Sequence, residues 1–301
     1  MSNEQTTRKP ITIRHGLTKA DRAALASLRA ALAAHPGGMT RAAYDDLFER
    51  VPNADAVDYS ESNVGGVSGV WCVPRAQRDR ARAALLYLHG GGFIYGSAHA
   101  YRHLVGQIAA RAGLPAFVAD YRLAPEHAFP AALDDARAAY RALAAQFGAG
   151  HVALVGDSAG GGLALSLLQE EPGARCGVLL SPWTDLALTG ASIDGNAAAD
   201  PFLSRASLEA GASQYLGAHD RRDPRASPLC GSARETPPIQ VHVGTAEVLL
   251  DDSLRLAANE RIQVHVWEEM LHVFPSSIGL FDAAQAAHDV IATFLRAELS
   301  T

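Results

Sequence analysis

Cysteine is scarce in this chain. There are three in 301 residues, Cys72, Cys176 and Cys230, an odd number at wide spacing with no metal-like pairing. Such a count argues against a disulfide framework and suits a reducing compartment, so all three are expected to be packing residues. Also missing is any basic block or interleaving of basic and aromatic residues, and the net charge is −6, which argues against nucleic acid as the main partner. No apolar run reaches the length needed to span a bilayer, and residues 1–10 are polar with no apolar signal core. A cytoplasmic location is the expectation that follows. What is abundant is apolar residue, 48% of the chain, enough to bury the core of one large α/β domain with an appended cap.

The apolar pattern sets out the elements. Residues 19–34 place Leu25, Leu28 and Leu32 at helical spacing, and residues 41–50 repeat the pattern after the Pro36-Gly37-Gly38 break. Residues 57–63 and 66–73 read as opening antiparallel strands joined at Gly65-Gly66. Strands at 84–88, 115–120, 151–155 and 177–181 then alternate with helices at about 100–112, 131–147 and 160–169. That alternation implies a parallel sheet with helices on both faces. Residues 187–226, rich in Ala, Asp and Arg, interrupt it before strands at 239–243 and 262–267 and a helix at about 280–299.

Two glycine-rich stretches lie at the carboxyl ends of predicted strands. Gly156-Asp157-Ser158-Ala159-Gly160 follows the run 151–155, so a serine occupies the turn from strand to helix. The turn is tight enough that the second residue on either side must be glycine, and the serine hydroxyl is held exposed, as a nucleophile requires. About seventy residues earlier, strand 84–88 runs into His89-Gly90-Gly91-Gly92-Phe93. Three consecutive glycines are costly to order, and their physical use is to bring bare N–H groups to an oxyanion formed by attack on a carbonyl. Gly91 and Gly92 supply two such donors and Ala159 a third. A linker reading fits less well, because a linker would lack the strand before the loop and the aromatic run 93–95 after it.

A serine nucleophile needs a base, and the base needs an acid, both expected after the serine in the order Ser, acid, His. Of twelve histidines, His272 stands apart: it lies in the loop beyond the last predicted strand, at the same sheet edge as Ser158. His265 sits inside that strand and His288 inside the final helix. The acid is more open, because residues 244–252 offer Glu247, Asp251 and Asp252.

Together these motifs resemble the hormone-sensitive lipase family of the α/β-hydrolase fold, in its bacterial esterase branch. The resemblance covers roughly residues 55–300. It rests on residues 89–93, on Asp120-Tyr121-Arg122-Leu123-Ala124-Pro125-Glu126, on residues 156–161, on Ser181-Pro182-Trp183-Thr184-Asp185-Leu186 and on Leu271-His272-Val273-Phe274. It implies a mostly parallel eight-stranded sheet flanked by helices, with a helical cap. The corresponding division is cap helices at 1–54, core at 55–186, a second cap segment at 187–226, and core again at 227–301.

In the family the acid loop reads Gly-x-x-Asp-Pro-Leu-x-Asp-Glu, and its first acid completes the triad. Without gaps that position is Glu247, with Asp251 as runner-up and otherwise an N-cap of the following helix. Asp157, Glu126 and His89 are expected to bond loop backbone or close charge pairs. The implied activity is hydrolysis of short-acyl esters of small molecules by Ser158, His272 and Glu247, with no cofactor and no metal. Lactone hydrolysis or small-molecule deacetylation by the same residues are alternatives, and a homodimer is left open. Ligand receptors of this fold, such as the plant gibberellin receptors, lack the catalytic histidine that His272 supplies here. Epoxide hydrolases and dehalogenases place Asp where this chain has Ser158.

Overall fold

The computed structural model describes residues 11–34, 39–78, 80–171, 173–231 and 236–299. Its strands are β1 (Ile11–His15), β2 (Val57–Val64), β3 (Val67–Pro74), β4 (Ala84–Leu88), β5 (Ala116–Ala119), β6 (Val152–Asp157), β7 (Cys176–Leu180), β8 (Ile239–Gly244) and β9 (Ile262–Trp267). The helices are α1 (Lys19–Ala34), α2 (Arg41–Glu49), α3 (Ala98–Ala112), α4 (Ala131–Phe147), α5 (Ser158–Glu170), α6 (Ser192–Gly195), α7 (Arg205–Leu216), α8 (Leu250–Leu256) and α9 (Asp282–Leu299). Among the described residues none of these helices is long and apolar enough to cross a membrane.

One sheet runs in the order β1-β9-β8-β7-β6-β4-β5-β3-β2. Every pairing from β1 to β5 is parallel, while β3 pairs antiparallel with both β5 and β2. Strands β4 to β7 are buried at every position, as parallel strands covered on both faces must be. Leu86, Leu88 and Leu154 belong to a core shared with α4 and α5, whereas Leu85, Tyr87 and Val155 belong to one shared with α3 and α9. Gly65 and Gly66, at φ +64° and +88°, form the turn between β2 and β3, a tight hairpin that asks for positive φ at both central residues.

Among the described residues the sheet has nine strands where eight were expected. The addition is β1, an edge strand whose residues are exposed or half-buried, so no buried apolar face marks it in the sequence. It is held by backbone pairing with β9 and by His15, whose ring stacks on Trp267 at 3.8 Å. Both helices read from residues 19–34 and 41–50 are present. Asp21 of α1 accepts from the N–H groups of Asp282 and Ala283 and so caps α9 from a distance in sequence.

From β4 the chain turns to β5 on one side, then returns as β6 on the other. A crevice opens where strand order reverses in this way, at the carboxyl ends of the strands. The loops after β4 and β6 both emerge there.

Candidate active site

Ser158 begins α5 immediately after β6, with φ of +50°, a left-handed conformation that costs a non-glycine residue about 1 kcal/mol or more. The neighbouring backbone enforces it. A Cβ on Gly156 would lie 2.4 Å from the carbonyl oxygen of Gly160, and one on Gly160 only 2.0 Å from that of Leu88. Neither contact is tolerable, so the expected requirement for glycine at both positions has a concrete steric origin. Ser158 is 8% exposed.

His272 follows β9 and brings its Nε2 to 3.0 Å from the Ser158 Oγ. On the other side of the ring, Nδ1 is 2.9 Å from Oε2 of Glu247, which follows β8. Burial disfavours the charged imidazole, but the Glu247 carboxylate, with smaller help from Asp200 and Asp157, outweighs it and raises the pKa of His272. Glu247 is itself fully buried. Its Oε1 accepts from the Gly244 N–H at 2.6 Å and the Ser181 hydroxyl at 2.9 Å, and the Ser181 oxygen accepts from the Val273 N–H at 3.0 Å. Asn196 donates to the Glu247 carbonyl at 2.8 Å.

Asp251 lies elsewhere. Its Oδ2 accepts from the Ser192 N–H at 2.9 Å, and its own N–H donates to the Ser192 hydroxyl. Nor is it the N-cap that was expected: the cap position of α8 is Leu249, which makes no side-chain cap bond, and Asp251 sits within the first turn. Asp252 is buried too, accepting from the N–H groups of Thr184 and Asp185.

Gly91 and Gly92, at φ +107° and +61°, shape the loop after β4. Among the described residues neither N–H has a protein acceptor. Ala159, in the first turn of α5, has no acceptor one turn back within its helix. Ser158 thus opens a helix whose N-terminus favours negative charge, and the loop after β4 carries two further N–H groups with no acceptor among the described residues.

Asp157 ties this loop to the serine turn. Its Oδ1 accepts from the Gly90 N–H and the Tyr87 hydroxyl, each at 2.9 Å, and its Oδ2 from the Tyr101 hydroxyl at 3.1 Å. Burial pushes its carboxyl up to about 6 while those three donors pull the other way. The His89 ring stacks on Tyr121 at 4.3 Å, and its Nδ1 lies 2.8 Å from the Gly90 carbonyl oxygen. Glu126 closes an ion pair with Arg41 at 2.7 Å. These three side chains take up the backbone and charge-pair contacts expected of them. His265 and His288 are both remote from Ser158: the first faces His15, the second the Pro275 carbonyl. Cys72 and Cys176 are buried as expected, but Cys230 is exposed and is not a core residue.

Ser181, Asn196 and the hydroxyls of Tyr87 and Tyr101 were not singled out beforehand. Ser181 lies 66 residues from Glu247 and Tyr101 56 from Asp157, so only the folded chain brings them together. The one signal available was Ser181 as the first residue of a recognisable motif.

Known proteins agree with this architecture. The family described as alpha/beta hydrolase fold matches residues 85–276. An acetyl-hydrolase of Streptomyces hygroscopicus is 38% identical over 267 residues, covering 85% of this chain and 88% of that one. An esterase of Acinetobacter venetianus is 34% identical, covering 84% and 87%. The crystal structure of an esterase from the bacterial hormone-sensitive lipase family superposes with a TM-score of 0.86 at 34% identity, covering 94% of this chain and 99% of that one. The chain belongs to the α/β-hydrolase fold family and, within it, is a carboxylesterase of the bacterial hormone-sensitive lipase group.

Proposed function

We propose that this carboxylesterase cleaves short-acyl esters of small molecules through an acyl-enzyme on Ser158. The observation that carries the reading is the line from Glu247 through His272 to Ser158, at 2.9 and 3.0 Å; the N–H groups of Gly91, Gly92 and Ala159 are assigned to the oxyanion. Ser158 Oγ attacks the acyl carbon while its proton passes to His272 Nε2. The carbonyl oxygen becomes an oxyanion held by the three N–H groups. Glu247 keeps the proton on Nδ1 and stabilises the imidazolium, which the raised pKa of His272 supports. Collapse expels the alcohol with the proton from Nε2. Water, activated by the same imidazole, then releases the carboxylic acid and restores the serine.

Deacetylation of a small molecule is the second reading, favoured by the 38% identity to a protein named an acetyl-hydrolase. It uses the same steps. We assign α1 and α2 with residues 187–226 to a cap over residues 55–186 and 227–301. Buried Phe93, Trp183 and Tyr215, crowded around the loop after β4, support short acyl groups over long ones. p-Nitrophenyl esters from acetate to laurate, run beside lactones and acetylated alcohols, test the reading. Acetate and butyrate should be turned over fastest, and Ser158→Ala should lose about 10⁶ in turnover with the fold intact. A Ser158→Ala protein with near-normal rates would remove the serine from the mechanism.

A further inference from the structure

Helix α2 makes none of the contacts described above at Ser158 or His272, yet it grips the segment that carries the donor glycines. The Arg41 guanidinium donates to the carbonyls of Ile94 and Ala124, at 2.8 and 2.9 Å. The Tyr95 hydroxyl donates to the Met39 carbonyl, and that of Ser97 to Asp45. One side chain reaches deeper. The Tyr44 hydroxyl lies 2.8 Å from that of Tyr101, which lies 3.1 Å from Asp157 Oδ2, and Asp157 Oδ1 holds the Gly90 N–H. An ionised carboxylate can only accept, so the Tyr101 proton points to Asp157 and its oxygen accepts from Tyr44. The Tyr44 and Tyr101 hydroxyls therefore both point toward Asp157, two bonds that strengthen one another, while the Gly90 N–H meets the same carboxylate at its other oxygen. The approach at its inner end is close: a Cβ on Gly90 would lie 2.2 Å from Asp157 Oδ2.

We propose that Tyr44 is a positioning residue for the reaction, acting through Tyr101 and Asp157 to hold Gly90, and with it the donor glycines Gly91 and Gly92, at the place where the oxyanion forms. The inference rests on the acyl-enzyme reading above. It makes α2 part of the catalytic apparatus without contact with substrate. Interactions realised only in the transition state lower kcat and leave KM alone when they are lost. Removing a whole oxyanion donor costs about 10² to 10³ in kcat, so relaxing the loop by one hydrogen bond should cost about tenfold.

The test is Tyr44→Phe, which keeps the ring against Tyr95 and Phe48 and deletes the hydroxyl alone. With p-nitrophenyl acetate we expect kcat to fall about tenfold and KM to stay within about twofold. Affinity for a short alkyl trifluoromethyl ketone, whose serine adduct places an oxyanion in the same site, should fall by the same factor as kcat/KM. Tyr101→Phe should cost at least as much, and the double variant no more than Tyr101→Phe, because the two hydroxyls act in series. Tyr101→Phe also tests the chain by itself should Tyr44→Phe not fold. Tyr95→Phe, which removes another hydroxyl bond to the same part of the chain, should leave kcat and ketone affinity as in the wild type. Unchanged kcat in Tyr44→Phe, or losses that multiply in the double variant, would overturn the relay, as would an equal loss in Tyr95→Phe. A wild-type protein with no ester turnover would overturn the relay and the esterase reading together.

Discussion

Glu247 commits both of its oxygens inside the protein, Oε2 to His272 and Oε1 to Gly244 and Ser181. A glutamine there would keep the shape but present an amide to one side or the other. Facing Nδ1 it would favour the wrong imidazole tautomer, so Glu247→Gln is expected to lower ester turnover by about 10³ to 10⁴ with little loss of stability. Asp251→Ala leaves His272 untouched and strips the Ser192 N–H of its acceptor, so it should keep turnover within a few-fold and cost about 1 to 2 kcal/mol of stability. Steady-state kinetics and urea midpoints of the two variants decide the assignment; the reverse pattern would transfer the acid role to Asp251. The residues differ in how far sequence alone exposes them. Ser158 and His272 are legible because a strand-to-helix turn needs glycine at 156 and 160, and because one histidine falls in the loop beyond the last strand. Glu247 needed a family alignment, since three carboxylates share its loop and only side-chain direction separates them. Ser181 and Asn196 reach Glu247 from the loop after β7 and from the turn after α6, a meeting no local pattern encodes.

Among the elements, the buried parallel strands declare themselves as short apolar runs, and the helices between them by spacing. The edge of the sheet does not. In β1 nothing is fully buried, and what fixes it is a cluster of rings: His15 stacks on Trp267, and its Nε2 lies 2.9 Å from His265 Nδ1. His15→Ala removes both contacts, and we expect a loss of about 1 to 2 kcal/mol with faster amide exchange along 11–15 and unchanged ester turnover. Lost turnover at an unchanged urea midpoint would show that β1 bears on the site instead of on the edge. Residues 187–226 were legible only as an interruption. They contain α7, whose start is marked by a capping box between Ser204 and Ser207, a weaker signal than a Ser-x-x-Glu pair would have given. What α7 contributes comes from packing: Tyr215 stacks face to face on Phe93 at 3.7 Å, joining this segment to the loop that carries the donor glycines.

For the molecule as a whole, buried ionisable groups pull stability in opposite directions with pH. Burial lowers the pKa of His265 and His288 to about 4, and burial, with the neighbouring histidines, holds that of His242 well below its ordinary value. An unfolded histidine takes up its proton near 6.5, so these groups stabilise the fold fully above that value and progressively less as pH falls toward 4. Burial raises Asp157 to about 6 and Asp252 to about 7. Those carboxyls hold protons in the fold that the unfolded chain releases above about 4, so their contribution grows as pH falls through 7. The raised pKa of His272 acts in the same sense. Carboxylates such as half-buried Asp58 and exposed Asp194, held below their usual range by arginine, stay ionised down to the acid end of this window. The two sets therefore offset each other between about pH 7 and 5, and the wild-type urea midpoint should change little there. Asp252→Asn removes one titrating carboxyl while its side-chain oxygen can still accept from Thr184 and Asp185. In that variant the midpoint should rise relative to wild type at pH 8 and fall more steeply on acidification, the histidines being less opposed. Parallel midpoint curves for the two proteins across pH 8 to 5 would mean that Asp252 is ionised in the fold throughout that range.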